Sequence, residues 1–250
     1  MLSAQKLAGQ ASVTARSLRA IASTGIVRPI APHHLLTLAR TTTRWKATPA
    51  AGYISNGRIR ADRIAIIDEL GSLTFREVDE RTNALANELS NAGIGPQDKV
   101  AILCRNHRGW IDATVAVSKL GAGALYLNTM FAGPQIADVC RREEPVAVIF
   151  DEEFTELVAE GAENLLRYVA WHDGERAQSG DPTLEELIAR GDRRSLPVPA
   201  EPGRVTILTS GTTGTPKGAN RSLPRSPLVS AGLLDRIPYK AEQKMMVAAP

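Results

Sequence analysis

The chain has 250 residues, an apolar share of 43% and a net charge of +3. That length allows one or two domains with a substantial core, and no uninterrupted apolar run approaches the span of a bilayer. Residues 1–61 hold nine basic residues and no Asp or Glu, leaving the rest of the chain acidic at −6; with the basic residues showing no regular interleaving with stacking aromatics, a nucleic-acid partner is not expected.

Residues 1–48 form a basic, acid-free leader with helical character. Its Arg- and Ser-containing start suits a mitochondrial transit peptide. Leu7, Val13, Leu18 and Ile21 among Lys6, Arg16 and Arg19 equally suit a helix lying on anionic lipid. A solvated extension is the plain alternative. The excess of arginine over lysine fits GC-rich coding, and we read the leader as bacterial with peripheral membrane contact. The expected location is the cytoplasm, membrane-associated, or the mitochondrion if the source is eukaryotic.

From residue 62 the pattern alternates between periods of two and 3.6 residues. A hairpin is predicted over 63–68 and 71–74, then a helix over 75–91 opened by a Thr74–Glu77 capping box and stopped by Gly93. Strands are expected at 99–104, 124–127, 146–150, 168–171 and 205–208, and helices at 107–120, 133–142, 154–162 and 184–189. A Pro-rich connector covers 197–202, and a last strand is predicted over 244–250. Such alternation predicts an α/β fold, a parallel sheet layered with helices. Asn106 is expected to cap the helix beginning at 107, with 105–108 as the alternative wall of a binding cleft. Cys104 and Cys140 form no CxxC pair and read as buried free thiols in a reducing compartment. His33, His34, His107 and His172 show no metal spacing, so no metal ligand is expected.

The stretch Thr209-Ser210-Gly211-Thr212-Thr213-Gly214-Thr215-Pro216-Lys217-Gly218 carries the chemistry. Gly211, Gly214 and Gly218 free the backbone to approach an anion; Thr209, Ser210, Thr212, Thr213 and Thr215 supply hydroxyls, and Lys217 a positive charge. A Walker A loop is excluded, since Pro216 precedes the lysine and Gly218 follows it. A flexible Gly/Thr linker needs neither the Pro-Lys-Gly ending nor a strand feeding it.

This stretch resembles the phosphate-loop signature of the adenylate-forming superfamily, which includes acyl-CoA synthetases, luciferases and peptide-synthetase adenylation domains. Residues 66–75 resemble that family's opening hairpin, residues 100–107 the strand-to-helix turn of fatty-acyl-CoA synthetases, and residues 121–128 its "Gly-Ala … Asn-Pro" segment. The resemblance implies an ATP-dependent acyl-CoA synthetase acting on fatty acids, using ATP, Mg²⁺ and coenzyme A. It implies that Thr209, Ser210, Thr212 and Thr213, with the amides of Gly211 and Gly214, hold the β- and γ-phosphates, and that Lys217 neutralises departing pyrophosphate. Thr215 and Gly218 complete the cradle. Members of the family are about twice as long, so residues 49–250 are expected to be an incomplete N-terminal large domain that completes no half-reaction alone. The alternatives are a non-catalytic nucleotide-binding remnant, an adenylate-forming ligase for a non-fatty carboxylate, and an unrelated phosphate-binding α/β enzyme.

Overall fold

The computed structural model describes residues 31–209, the backbone of 217–220, residues 240–247 and, within the leader, residues 16, 19 and 22–25. Two compact units separate, residues 1–32 with 222–247, and residues 33–221 with 248–250. In the smaller unit the Ala241 amide donates to the Thr24 carbonyl at 2.7 Å, and Lys240 Nζ to the Ser23 carbonyl at 2.7 Å. The strand predicted over 244–250 does not form across 244–247, where Met245, Met246 and Val247 are exposed; no neighbouring strand pairs with it among the described residues.

Between residue 31 and the sheet lie α1 (Pro32–Trp45), inside the leader, and α2 (Pro49–Ile59), which the sequence patterns did not reveal. The α2 start is set by Thr48, whose hydroxyl accepts the Ala51 amide at 3.2 Å, with Pro49 at the first helical position. Its apolar content is modest, and it is held by Ala50, Ala51 and Ile54 packing with Trp45.

The hairpin follows as β1 (Ile64–Asp68) and β2 (Gly71–Thr74), antiparallel. Helix α3 (Phe75–Asn91) begins at the expected capping box: Thr74 Oγ1 accepts the Glu77 amide at 3.2 Å, and Glu77 Oε2 accepts the Thr74 amide at 2.6 Å. It stops at Gly93, whose φ of +91° a side-chain-bearing residue rarely adopts.

The alternation then builds β3 (Lys99–Leu103), α4 (Arg108–Leu120), β4 (Gly123–Tyr126), α5 (Gly133–Glu143), β5 (Ala147–Asp151), a 3₁₀ turn (Glu152–Phe154), α6 (Thr155–Gly161), β6 (Leu166–Trp171), α7 (Leu184–Arg190), β7 (Val205–Thr209) and β8 (Lys217–Asn220). The sheet order is β6-β5-β3-β4-β7-β8. The first five strands run parallel, and β8 lies antiparallel on the edge. Ends differ from expectation by a residue or two; the largest change is at 154–162, where a 3₁₀ turn precedes the helix.

Successive strand residues serve opposite cores, as a period of two requires. Val100, Ile102, Ala147 and Ile149 pack with Leu85, Leu89, Val117, Leu184 and Leu187 of α3, α4 and α7. Ala101, Leu103, Val148 and Phe150 pack with Ile136, Val139 and Val158 of α5 and α6. Both faces are thus dry, which explains the continuous apolar runs at β3 and β5. Phe150 is fully buried, worth roughly 1.5–3 kcal/mol by area. The connector after α7 is pressed hard onto the turn after α4. A Cβ on Gly203 would sit 1.8 Å from the Ala122 carbonyl oxygen, so no larger residue fits there.

Candidate functional site

The strand β7 enters the sheet beside β4, with Ala124 opposite Val205 and Tyr126 opposite Ile207. Its carboxyl end therefore opens onto the same rim as the carboxyl ends of β3, β4 and β5, where ligands gather in parallel α/β sheets. Strand β8 returns antiparallel, with Thr209 opposite Lys217 and Leu208 opposite Gly218. The predicted cradle is thus carried on a β-hairpin. Lys217 and Gly218, expected in the loop, open β8 instead; ladder pairing with β7 overrides the loop-forming tendency of glycine. Ser210, Gly211, Thr212, Thr213, Gly214 and Thr215 lie outside the described residues. Thr209, Lys217 and Gly218 are placed by their backbone at the hairpin's mouth.

The donor set suits a polyphosphate: hydroxyls, glycine amides and one ammonium, with no carboxylate in the stretch. Among the described residues no group of three or more His, Cys, Asp or Glu could hold a metal ion. A divalent cation fits there as a counter-ion carried on phosphate oxygens rather than as a protein-ligated centre.

The neighbouring rim loop, 104–107, is fixed from below. The Arg105 amide donates to Asp151 Oδ2 at 2.7 Å, and Arg105 Nη2 to Glu153 Oε2 at 2.7 Å. His107 Nε2 meets Asp151 Oδ1 at 2.9 Å, and its ring lies 4.7 Å from Trp171. The residue that caps α4 is His107, not Asn106: it is extended at φ −153°, ψ 179°, and its Nδ1 accepts the Gly109 amide at 3.1 Å. Asp151 and Trp171 hold the imidazole in place for that role, which leaves Asn106 in solvent. Nδ1 as acceptor puts the proton on Nε2, directed at Asp151.

Arg108 opens α4 buried against Asp68 of β1. Its amide reaches Asp68 Oδ2 at 2.9 Å and its Nη2 reaches Asp68 Oδ1 at 2.5 Å. Burial alone would raise the Asp68 carboxyl, but the Arg108 hydrogen bonds outweigh it and hold the group below its usual range. Of the four residues offered as an alternative cleft wall, Arg105, His107 and Arg108 thus spend polar groups on partners within the chain. The loop acts as a rigid support for the rim. On the far side of β4, Asn128 Oδ1 accepts the Met130 amide at 2.9 Å, and Met130 stands 81% exposed over the same rim. Cys104 is buried as expected, but Cys140 is only partly so.

Sequence patterns missed two buried ionic clusters on the α3–α4–α7 face. Lys119, 1% exposed, donates to the Asp79 carbonyl (2.9 Å), Asp79 Oδ1 (2.7 Å), Thr82 Oγ1 (2.8 Å) and Asn83 Oδ1 (2.6 Å). Arg81 bridges Asp112 Oδ2 at 2.7 Å and Glu185 Oε1 at 2.5 Å. The available signal was the appearance of single charges, Asp112 and Lys119, within otherwise apolar α4.

Asp112 is fully buried and its Oδ1 has no partner. Burial pushes its carboxyl from 3.8 up to about 6, with Arg81 pulling part of the way back. The folded state then binds the proton more tightly than the unfolded chain. Stability is expected to fall as pH rises from about 4 to about 6, by on the order of 3 kcal/mol, and to level off above. Urea titrations across that range check this; Asp112→Asn is expected to flatten the decline, and an unchanged slope in that variant would rule Asp112 out as its source.

The sequence profile of the AMP-binding enzyme family matches residues 55–250. A medium-chain-fatty-acid–CoA ligase of Ectopseudomonas oleovorans is 29% identical over 170 residues, covering 63% of this chain and 31% of the relative. A feruloyl-CoA synthase of Amycolatopsis is 28% identical over 179 residues, covering 72% and 34%. Among solved structures, an anthranilate CoA ligase in complex with anthranoyl-AMP superposes with a TM-score of 0.64 at 25% identity, covering 70% of this chain and 34% of that one. A Rhodopseudomonas palustris protein described as a long-chain-fatty-acid CoA ligase gives 0.63 at 26%, covering 76% and 48%. The chain spans about a third of the length of these curated relatives. With its sheet matching the N-terminal domains of adenylate-forming enzymes and the family's profile running over most of its length, the chain belongs to the AMP-binding enzyme family.

Proposed function

We propose that this chain is the nucleotide-gripping part of an ATP-dependent acyl-CoA synthetase that activates a fatty acid. The carboxylate attacks the α-phosphate of ATP and pyrophosphate leaves; the thiol of coenzyme A then attacks the acyl carbon of the acyl-adenylate, forming the thioester and expelling AMP. In this reading the hydroxyls of Thr209, Ser210, Thr212 and Thr213 and the amides of Gly211 and Gly214 bind the β- and γ-phosphates. Thr215 and Gly218 complete the cradle, and Lys217 balances the charge that builds on the leaving pyrophosphate. Mg²⁺, when bound with ATP, would offset part of the phosphate charge. Both half-reactions shift negative charge between oxygens, so positioning and fixed positive charge carry most of the acceleration. The supporting observation is the hydroxyl- and glycine-rich stretch on a hairpin at the carboxyl rim of a parallel sheet.

The fatty-acid preference rests on the medium-chain ligase among the relatives and on the resemblance of residues 100–107. An aromatic acid is the second reading, favoured by the feruloyl-CoA synthase and the anthranilate ligase. Trapping of activated acid by hydroxylamine separates the two. With the full-length protein, ATP and palmitate are expected to give hydroxamate, and ferulate or benzoate little. Product from the aromatic acids alone would move the assignment to the second reading, and no product from any acid would support a non-catalytic nucleotide-binding remnant.

A further inference from the structure

We propose that α1 is an anchor for an anionic lipid surface, docking through Leu35, Leu36 and Leu38 with Arg40 and Arg44 beside them. Only the C-terminal half of the helix is seated on the domain, and apolar side chains of its first half stay wet. Thr41 and Trp45 are buried on its inner side, and the Thr41 hydroxyl has no partner. Leu35 and Leu36 stand away from that side at 52% and 50% exposure, and Leu38, in line with Thr41 and Trp45 but a turn earlier, is 39% exposed. Burying threonine while wetting three leucines is a poor arrangement in water alone, and becomes a good one when the outer side meets an apolar phase.

Charge selects the occupant. No acidic residue lies anywhere in residues 1–61, and Arg40 and Arg44 make no ion pair among the described residues, whereas Lys46 is already engaged with Glu201. A second copy of this chain would bring a like-charged helix against α1 and be repelled, while a surface of anionic headgroups attracts both arginines. Fourteen residues make a helix about 21 Å long, and no described helix is long and apolar enough to cross a membrane. Lying flat, α1 sinks its leucines to the acyl boundary while the arginine stems reach back to the headgroups.

This inference does not rest on the adenylation reading, because vesicle binding is measured without ATP or acid. The 250-residue chain is expected to co-sediment with phosphatidylcholine vesicles containing phosphatidylglycerol, much less with phosphatidylcholine alone, and to be released by high salt. Neutralising Arg40→Gln and Arg44→Gln should weaken binding about fivefold each. The pair Leu35→Glu and Leu36→Glu should weaken it more than tenfold while leaving circular dichroism and sedimentation velocity unchanged. Absence of binding overturns the proposal. So does binding that survives the leucine changes, which would place the contact elsewhere in the leader. A dimer that those changes dissociate would overturn it too, assigning the stripe to a second copy.

Discussion

Lys217→Ala is expected to slow pyrophosphate release by the full-length enzyme by about 10²–10³-fold, with little change in the KM for the acid. The backbone places Lys217 opposite Thr209, at the mouth of the hairpin that carries the phosphate stretch. In the proposed role its ammonium would act on charge that grows only as pyrophosphate departs, so its loss would fall on the rate rather than on acid binding. Isotopic exchange between pyrophosphate and ATP reads the adenylation step directly. Restoration of part of the rate by Lys217→Arg would support a charge role. An unaltered exchange rate in Lys217→Ala would remove Lys217 from the reaction.

The second large effect concerns stability. Lys119→Met is expected to cost about 3–5 kcal/mol, a large part of the ordinary margin of a domain. Four acceptors from α3 converge on Lys119 Nζ, with Thr82 and Asn83 buried beside it. Burial lowers the affinity of Lys119 for its proton, while the Asp79 carboxylate works against that shift. Methionine fills much of the same volume but leaves the acceptors unpaired in a dry place, where each is expensive. Urea unfolding of Lys119→Met, Asp79→Asn and the double variant measures the coupling between the two residues. A midpoint for Lys119→Met close to that of the parent would show that water reaches the acceptors.

Much of the architecture could be read from pattern alone, and the failures have specific causes. Strands β3 and β5 announced themselves as apolar runs because both faces of the sheet are covered. Helices α3 and α7 each open on a Thr-x-x-Glu capping box, a local device that tertiary packing does not disturb. The α4 cap was misassigned to Asn106 because the rule for short polar side chains is local. His107 wins through Asp151 and Trp171, which are distant in sequence. Strand β8 was invisible since Lys217-Gly218-Ala219-Asn220 has no β propensity and exists through its ladder with β7. Helix α1 lay within the span read as helical leader, but the exposure of Leu35 and Leu36 could not be foreseen, because periodicity places leucines inward. The hydroxyl-, glycine- and lysine-rich make-up of 209–218 was legible without the fold. Its support at 104–107 was not, as that depends on which carboxylates the topology brings near.

The seat of β7 beside β4 has a consequence for biosynthesis. Val205 meets Ala124 only after the chain has laid down β5 and β6 on the other flank and crossed back over them. Local hairpins and helices can form as the nascent polypeptide leaves the ribosome, whereas this contact must wait for a long excursion to close, a slow step on entropic grounds. Strand β7, from which the hydroxyl- and glycine-rich stretch departs, is therefore seated late, after β5 and β6 have taken their places on the other flank.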